Sequence, residues 1–177
     1  MRKIVANLFV SLDGVVESPE QWTGPYFTEE IGQTIGSEMA QADVMLLGRV
    51  TYQTFAASFA DQAGGMADQM NNIPKIVVST TLEAADWQNS TLVSGLTELT
   101  AHKEKNGRNI AISGSAGLVR SLLREGLLDE LHLLLFPVVV GSGKRLFHGI
   151  DGQLSLSLLD SRTFAGGVVQ LSYQPKR

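Results

Sequence analysis

Asn109-Ile110-Ala111-Ile112-Ser113-Gly114-Ser115-Ala116-Gly117-Leu118-Val119-Arg120-Ser121-Leu122-Leu123-Arg124 is the stretch that decides the fold class. Its first five residues form a short apolar run of the kind found in a buried strand, and the run breaks at Gly114. From Ala116 to Arg124 the spacing becomes helical, with Leu118, Val119, Leu122 and Leu123 on one side and Gly126 placed as a C-cap. A strand that runs straight into a helix is the repeating unit of a parallel sheet. Upstream the same change of period recurs. Val44 to Leu47 reads as a strand that breaks at Gly48, and Arg49 to Phe59 carries Val50, Phe55 and Phe59 at helical spacing. Ile4 to Val10 is a first strand ending at Asp13-Gly14, and Thr28 is a candidate N-cap for a helix reaching Gln41. Lys75 to Ser79 and Thr91 to Val93 are further strands, Met66 to Asn71 holds a turn of helix, and Leu96 to Lys105 a helix. Downstream, from Leu128, three β-rich segments (130–139, 154–161 and 168–174) follow without a helix. Alternation followed by strands alone predicts one mixed α/β domain over residues 1–177, a mostly parallel sheet with antiparallel strands added at its C-terminal end.

The 177 residues contain no cysteine, so disulfides and cysteine-ligated metals are excluded. Fourteen Lys and Arg against eighteen Asp and Glu give a net charge of −4, which argues against a nucleic-acid partner. Only seven mostly apolar residues precede the turn at Ser11, too few for a secretion signal, and the longest apolar run, Leu131 to Val140, is half a membrane span. The expectation is a soluble, cytoplasmic protein without membrane association. His102, His132 and His148 lack metal-ligand spacing, so no metal is expected. Gly141-Ser142-Gly143-Lys144 fails as a P-loop, with Val138 where the first glycine belongs and Arg145 where Ser or Thr belongs.

Ligands of open α/β sheets bind at the carboxyl ends of the strands. Three turns there carry chemistry: Ser11-Leu12-Asp13-Gly14, Gly48-Arg49-Val50-Thr51 and Gly114-Ser115-Ala116-Gly117. The last opens a helix whose first N–H groups can hold a phosphate or pyrophosphate. The second adds a permanent cation, at a helix start where the dipole disfavours it unless an anion is near. Asp13 is the candidate proton donor or substrate-orienting group, against a plain turn-forming Asp-Gly. Trp22 and Tyr26, in a long loop, are candidates to stack on a flat heterocycle, against a role in pinning that loop.

These pieces, together with Lys75-Ile76-Val77-Val78-Ser79-Thr80-Thr81-Leu82, Leu127-Leu128-Asp129-Glu130-Leu131 and Pro137-Val138-Val139-Val140-Gly141-Ser142-Gly143-Lys144-Arg145-Leu146-Phe147, resemble the dihydrofolate-reductase-like family that includes the reductase domain of the bifunctional riboflavin-biosynthesis deaminase-reductase. The resemblance implies a dihydrofolate-reductase-like three-layer fold, an NADPH cofactor and hydride transfer to a pyrimidine- or pteridine-like small molecule. By position it implies that Gly48, Arg49 and Thr51 hold phosphates, that Ser79 and Thr80 lie near the 2′-phosphate, and that Gly114, Ser115, Ala116 and Gly117 cradle the pyrophosphate. Asp13 and Gly14 border the nicotinamide, and the Trp22 loop covers the substrate. Thr80 stands where relatives often carry an arginine, which leaves Arg49 as the clear cation. The acid that dihydrofolate reductases place on their first helix has only Glu29 and Glu30 near it. The family is commonly dimeric, and a homodimer is expected. The other readings are a nucleotide- or flavin-binding protein without turnover and a dihydrofolate reductase proper.

Overall fold

In the computed structural model, which describes residues 1–176, the order of elements is β1 (Ile4–Ser11), α1 (Glu29–Met39), β2 (Ala42–Gly48), α2 (Arg49–Phe59), α3 (Gly65–Asn72), β3 (Lys75–Val78), β4 (Ser90–Val93), α4 (Leu96–Glu104), β5 (Asn109–Ser113), α5 (Ala116–Arg124), β6 (Glu130–Phe136), β7 (Leu156–Thr163) and β8 (Val169–Pro175). One eight-stranded sheet results, in the order β4-β3-β2-β5-β1-β6-β8-β7. The first six strands in that order are mutually parallel, and β8 and β7 are antiparallel additions. The sequence pattern changes at Leu128, but the pairing changes one strand later. β6 still runs parallel to β1, because α5 serves as its crossover. Thr28 caps α1, its side chain accepting from the Ile31 N–H at 3.3 Å, and Met39 ends that helix two residues short of the expected Gln41. No helix among the described residues is long and apolar enough to cross a membrane.

Alternation along the strands sends side chains to opposite faces, and the two faces are filled differently. On one face Ile4, Ala6, Leu8 and Val10 of β1, Val44 and Leu46 of β2 and Ile110 and Ile112 of β5 join Leu99 of α4 and Val119 and Leu122 of α5 in a single continuous core. On the other face the core is split. One cluster packs Ile31 of α1 and Trp22 on Leu134 and Phe136 of β6. The second packs Tyr52 of α2, Met70 of α3 and Trp87 on Met45, Leu47 and Val77. Between the two clusters lie the same-face residues of β1 and β5, Val5, Asn7, Ala111 and Ser113, which are small or polar and belong to neither cluster. Small side chains on two adjacent central strands therefore leave a cleft in the sheet's second face. That cleft positions the site.

Candidate nucleotide and substrate site

The six parallel strands end on one edge, and there the helix leaving β2 heads toward β3 while the helix leaving β5 heads the opposite way, toward β6. Such a point of divergence is where open α/β sheets bind ligands. Both helices that begin there lack a side-chain cap: α2 starts after Gly48 and α5 after Ser115, and neither first turn has a capping side chain. Their first N–H groups have no partner within the helix, and together they make a concentrated donor field. The two starts are locked to each other. The Gly48 N–H donates to Ser115 Oγ at 3.0 Å, and the Ser115 N–H donates to Thr51 Oγ1 at 3.1 Å. Ser115, which as the N-cap of α5 could serve its own helix, spends its hydroxyl on the neighbouring turn instead.

Backbone strain accompanies this geometry. Gly114 and Ser115 both lie in the left-handed region, at φ 68° and 52°, which serine adopts only when its surroundings enforce it. A Cβ on Gly114 would also approach Thr51 Cγ2 to 3.4 Å. The structure thus brings the turn of Gly48 and Thr51 against that of Gly114, Ser115, Ala116 and Gly117. Arg49, the first residue of α2, is exposed, and among the described residues its side chain hydrogen-bonds only to Gln53 Oε1, at 3.3 Å. Among the described residues no carboxylate pairs with it. Gly48 is the register partner of Val78, so Ser79 and Thr80 leave β3 at the same sheet edge at which α2 begins. Ser79 Oγ accepts the N–H groups of Thr81 and Leu82 and shapes that turn, while Thr80 is exposed.

The end of β1 departs from expectation. Asp13 accepts a hydrogen bond from Ser11 Oγ at 2.6 Å and the N–H groups of Val140 at 3.1 Å and Gly141 at 2.8 Å, with Arg145 3.5 Å away. These bonds, Ser11's first, lower its pKa to about 2. It is ionised at neutral pH, which suits the substrate-orienting and turn-forming readings of Asp13 better than that of a proton donor. Its work is to hold the segment after β6 across the end of β1. The Leu12 N–H donates to Val138 O, the Leu146 N–H to Gly14 O and the Val16 N–H to Lys144 O. Gly14, at φ 83°, turns the chain beneath that segment. Gly141 to Lys144 is part of this clamp: the Lys144 ammonium pairs with Glu17 at 3.3 Å.

Replacing Asp13 by asparagine is expected to speed hydrogen exchange at Val140 and Gly141 by about tenfold or more, since local protection is what the carboxylate supplies. A depressed folded-state pKa contributes stability above the ordinary carboxylate range that is lost as pH falls through about 2. Wild-type protection at these amides should therefore persist through mildly acidic pH. Unchanged exchange in the variant would show that the loop holds without Asp13.

Trp22 is also placed differently from a free stacking platform. It is buried, its Nε1 donates to Glu17 O at 3.1 Å, and its ring meets Phe136 edge-on at 5.7 Å. Tyr26 is half-buried against the same ring at 6.3 Å. Both pin the loop to the sheet. Glu29 and Glu30 are turned away from the cleft: Glu29 accepts from Gln33 and Glu30 pairs with Arg162. The carboxylate that does reach the second face comes from the far end of α1. Glu38 lies 3.5 Å from His132 Nδ1, and His132 Nε2 lies 3.1 Å from Glu130. Burial disfavours charge on His132, but Glu38 and Glu130 outweigh it, and the net shift is upward. Sequence reasoning missed this group. Its signal was the polar residue in the first strand, Asn7, register partner of His132.

A mostly parallel sheet that diverges between β2 and β5 and carries antiparallel strands at one side defines an α/β protein of the dihydrofolate-reductase-like fold. The chain belongs to the RibD C-terminal domain family, whose model matches residues 2–170. It is 30% identical to the uncharacterised protein YwjB of Bacillus subtilis over 97% of each chain. It shares its fold with the diaminohydroxyphosphoribosylaminopyrimidine deaminase/5-amino-6-(5-phosphoribosylamino)uracil reductase of Thermotoga maritima, with a TM-score of 0.72 and 13% identity, over 99% of this chain and 57% of that one. The dihydrofolate reductase of Enterococcus faecalis, solved with NADP(H), superposes with a TM-score of 0.68 at 14% identity, over 99% and 97% of the two chains.

Proposed function

We propose that the chain is an NADPH-dependent reductase acting on a pyrimidine- or pteridine-like small molecule. The observation that carries this reading is the pair of interlocked, uncapped helix starts, beside an arginine with no carboxylate partner among the described residues, at the edge where a cleft opens over β1 and β5. The residues present fit a dinucleotide with an extra phosphate. The α5 start and Gly114 suit the pyrophosphate, where small residues let the backbone approach. Arg49, with the hydroxyls of Ser79 and Thr80 alongside, suits the 2′-phosphate. When bound, the cofactor supplies a hydride. The chain's own contribution is to orient and to exclude water: Asp13 fixes the 137–146 segment over the end of β1, and Trp22 and Tyr26 fix the preceding loop. A dihydrofolate reductase proper fits less well, because neither Glu29 nor Glu30 faces the cleft.

Titrating the purified protein with NADPH should quench the emission of its two tryptophans, Trp22 and Trp87, with saturation in the micromolar range. NADPH should then be consumed in the presence of 5-amino-6-(5-phosphoribosylamino)uracil faster than in the presence of dihydrofolate. No response below millimolar NADPH would overturn the reading.

A further inference from the structure

Asn7 sits in the middle of β1 among Ile4, Val5, Ala6, Leu8, Phe9 and Val10, and its side chain faces the cleft rather than the continuous core. Among the described residues three buried side-chain polar atoms have no hydrogen-bond partner, Asn7 Oδ1, Ser90 Oγ and His132 Nδ1. Two of the three belong to one place. Asn7 and His132 are register partners on adjacent strands, and both line a cavity of about 80 Å³ at the foot of the cleft, with Val5, Ala111, Glu38 and Glu130. A buried amide oxygen without a partner is costly to keep, even on a half-buried residue, and an apolar residue would suit the strand better. The amide therefore answers to something other than folding.

A primary amide presents a donor and an acceptor side by side, and the torsion that exchanges them is broad and two-fold, so a half-turn aims either atom into the cavity. Its complement is a ring N–H next to a carbonyl. Beside it His132 lies between Glu38 of α1 and Glu130 of its own strand. Lys3, before β1, pairs with Glu130 at 2.7 Å, and β8 offers the neutral Gln170, which donates to Glu38, and Ser172. In that setting, against the opposing effect of burial, the two carboxylates raise the pKa of the imidazole.

We propose that Asn7 reads the lactam edge of the substrate heterocycle, a ring N–H beside a C=O. This deepens the reductase reading and rests on it for where the hydride arrives, but not for binding. The cavity takes the edge of a ring, and the rest of the ring lies in the cleft along β1 and β5, below the helix starts.

The test is calorimetric titration of the full chain at neutral pH with 5,6-diaminouracil and with its 1,3-dimethyl derivative, whose ring N–H groups are blocked. Wild type should bind the first about tenfold or more tightly than the second, because a site built to pair a polar edge rejects the analogue lacking it. Asn7→Ala should abolish that preference while leaving NADPH affinity unchanged. Asn7→Leu, nearly isosteric and without either polar atom, should also lose it, which covers failure of the alanine variant to fold. Equal affinity for the two uracils, binding of neither by wild type, or discrimination that survives in both variants would overturn the proposal. Asn7-dependent binding of diaminouracil by a protein that does not bind NADPH would uphold it and remove the reductase reading instead.

Discussion

Phe136→Ala should lower the stability of the fold by about 3–5 kcal/mol, the range for truncating a large aromatic in a packed interior. Phe136 is the last residue of β6 and fully buried. Three rings meet it edge-on, Phe9 at 5.5 Å, Trp22 at 5.7 Å and Tyr26 at 6.3 Å, and each such pair contributes about 0.5–1.5 kcal/mol beyond its buried area. Two of these partners lie in the loop between β1 and α1, so the variant also releases that loop. Chemical denaturation should show the lower midpoint, and Trp22 emission should move to longer wavelength under native conditions. The control is Val50→Ala, on the exposed side of α2 at 62% exposure, expected to shift stability by no more than about 0.5 kcal/mol. A Phe136→Ala loss below about 1 kcal/mol would show that the second-face cluster is not held by this ring.

Phe136 also shows where reading the sequence alone ran out. Helices α2 and α5 were legible to the residue because each begins at a small residue ending an apolar strand, a signal contained in a few consecutive positions. The bare helix starts and Arg49 were legible for the same reason, since capping is local. What Asp13 and Trp22 do depends on chain far away. The Asp13 carboxylate meets Val140 and Gly141, more than a hundred residues downstream, and the ring that fixes Trp22 is on β6. An Asp-Gly at a strand end and a tryptophan in a long loop do not disclose those partners. Asn7 is the converse. One polar residue does not spoil a strand pattern, and its meaning comes only from the cavity assembled with α1, β5 and β6. The parallel pairing of β6 was hidden too, because a pattern of strands does not record direction.

Arg49→Ala should weaken NADPH binding by about 10- to 100-fold while changing NADH binding by less than about threefold, the difference expected for loss of one charge-assisted contact to a phosphate. The argument begins with what Arg49 does not do. It opens α2, where the helix dipole disfavours a cation. It has no carboxylate partner among the described residues, and its single side-chain bond, to Gln53, is a long 3.3 Å. An arginine spent on folding would be paired or stacked. This one is exposed and carries its full charge at the edge where Ser79 and Thr80 offer hydroxyls but no second cation. The two cofactors differ only by the 2′-phosphate, so the ratio of their affinities isolates that contact from the pyrophosphate, which both present to the start of α5. Arg49→Lys should recover part of the preference, retaining charge without the planar fork. Raising the salt concentration should shrink the wild-type preference, because an exposed pair is screened. Equal losses for NADPH and NADH would move Arg49 to the pyrophosphate. Unchanged affinity for both would take the cofactor away from the divergence of α2 and α5 altogether.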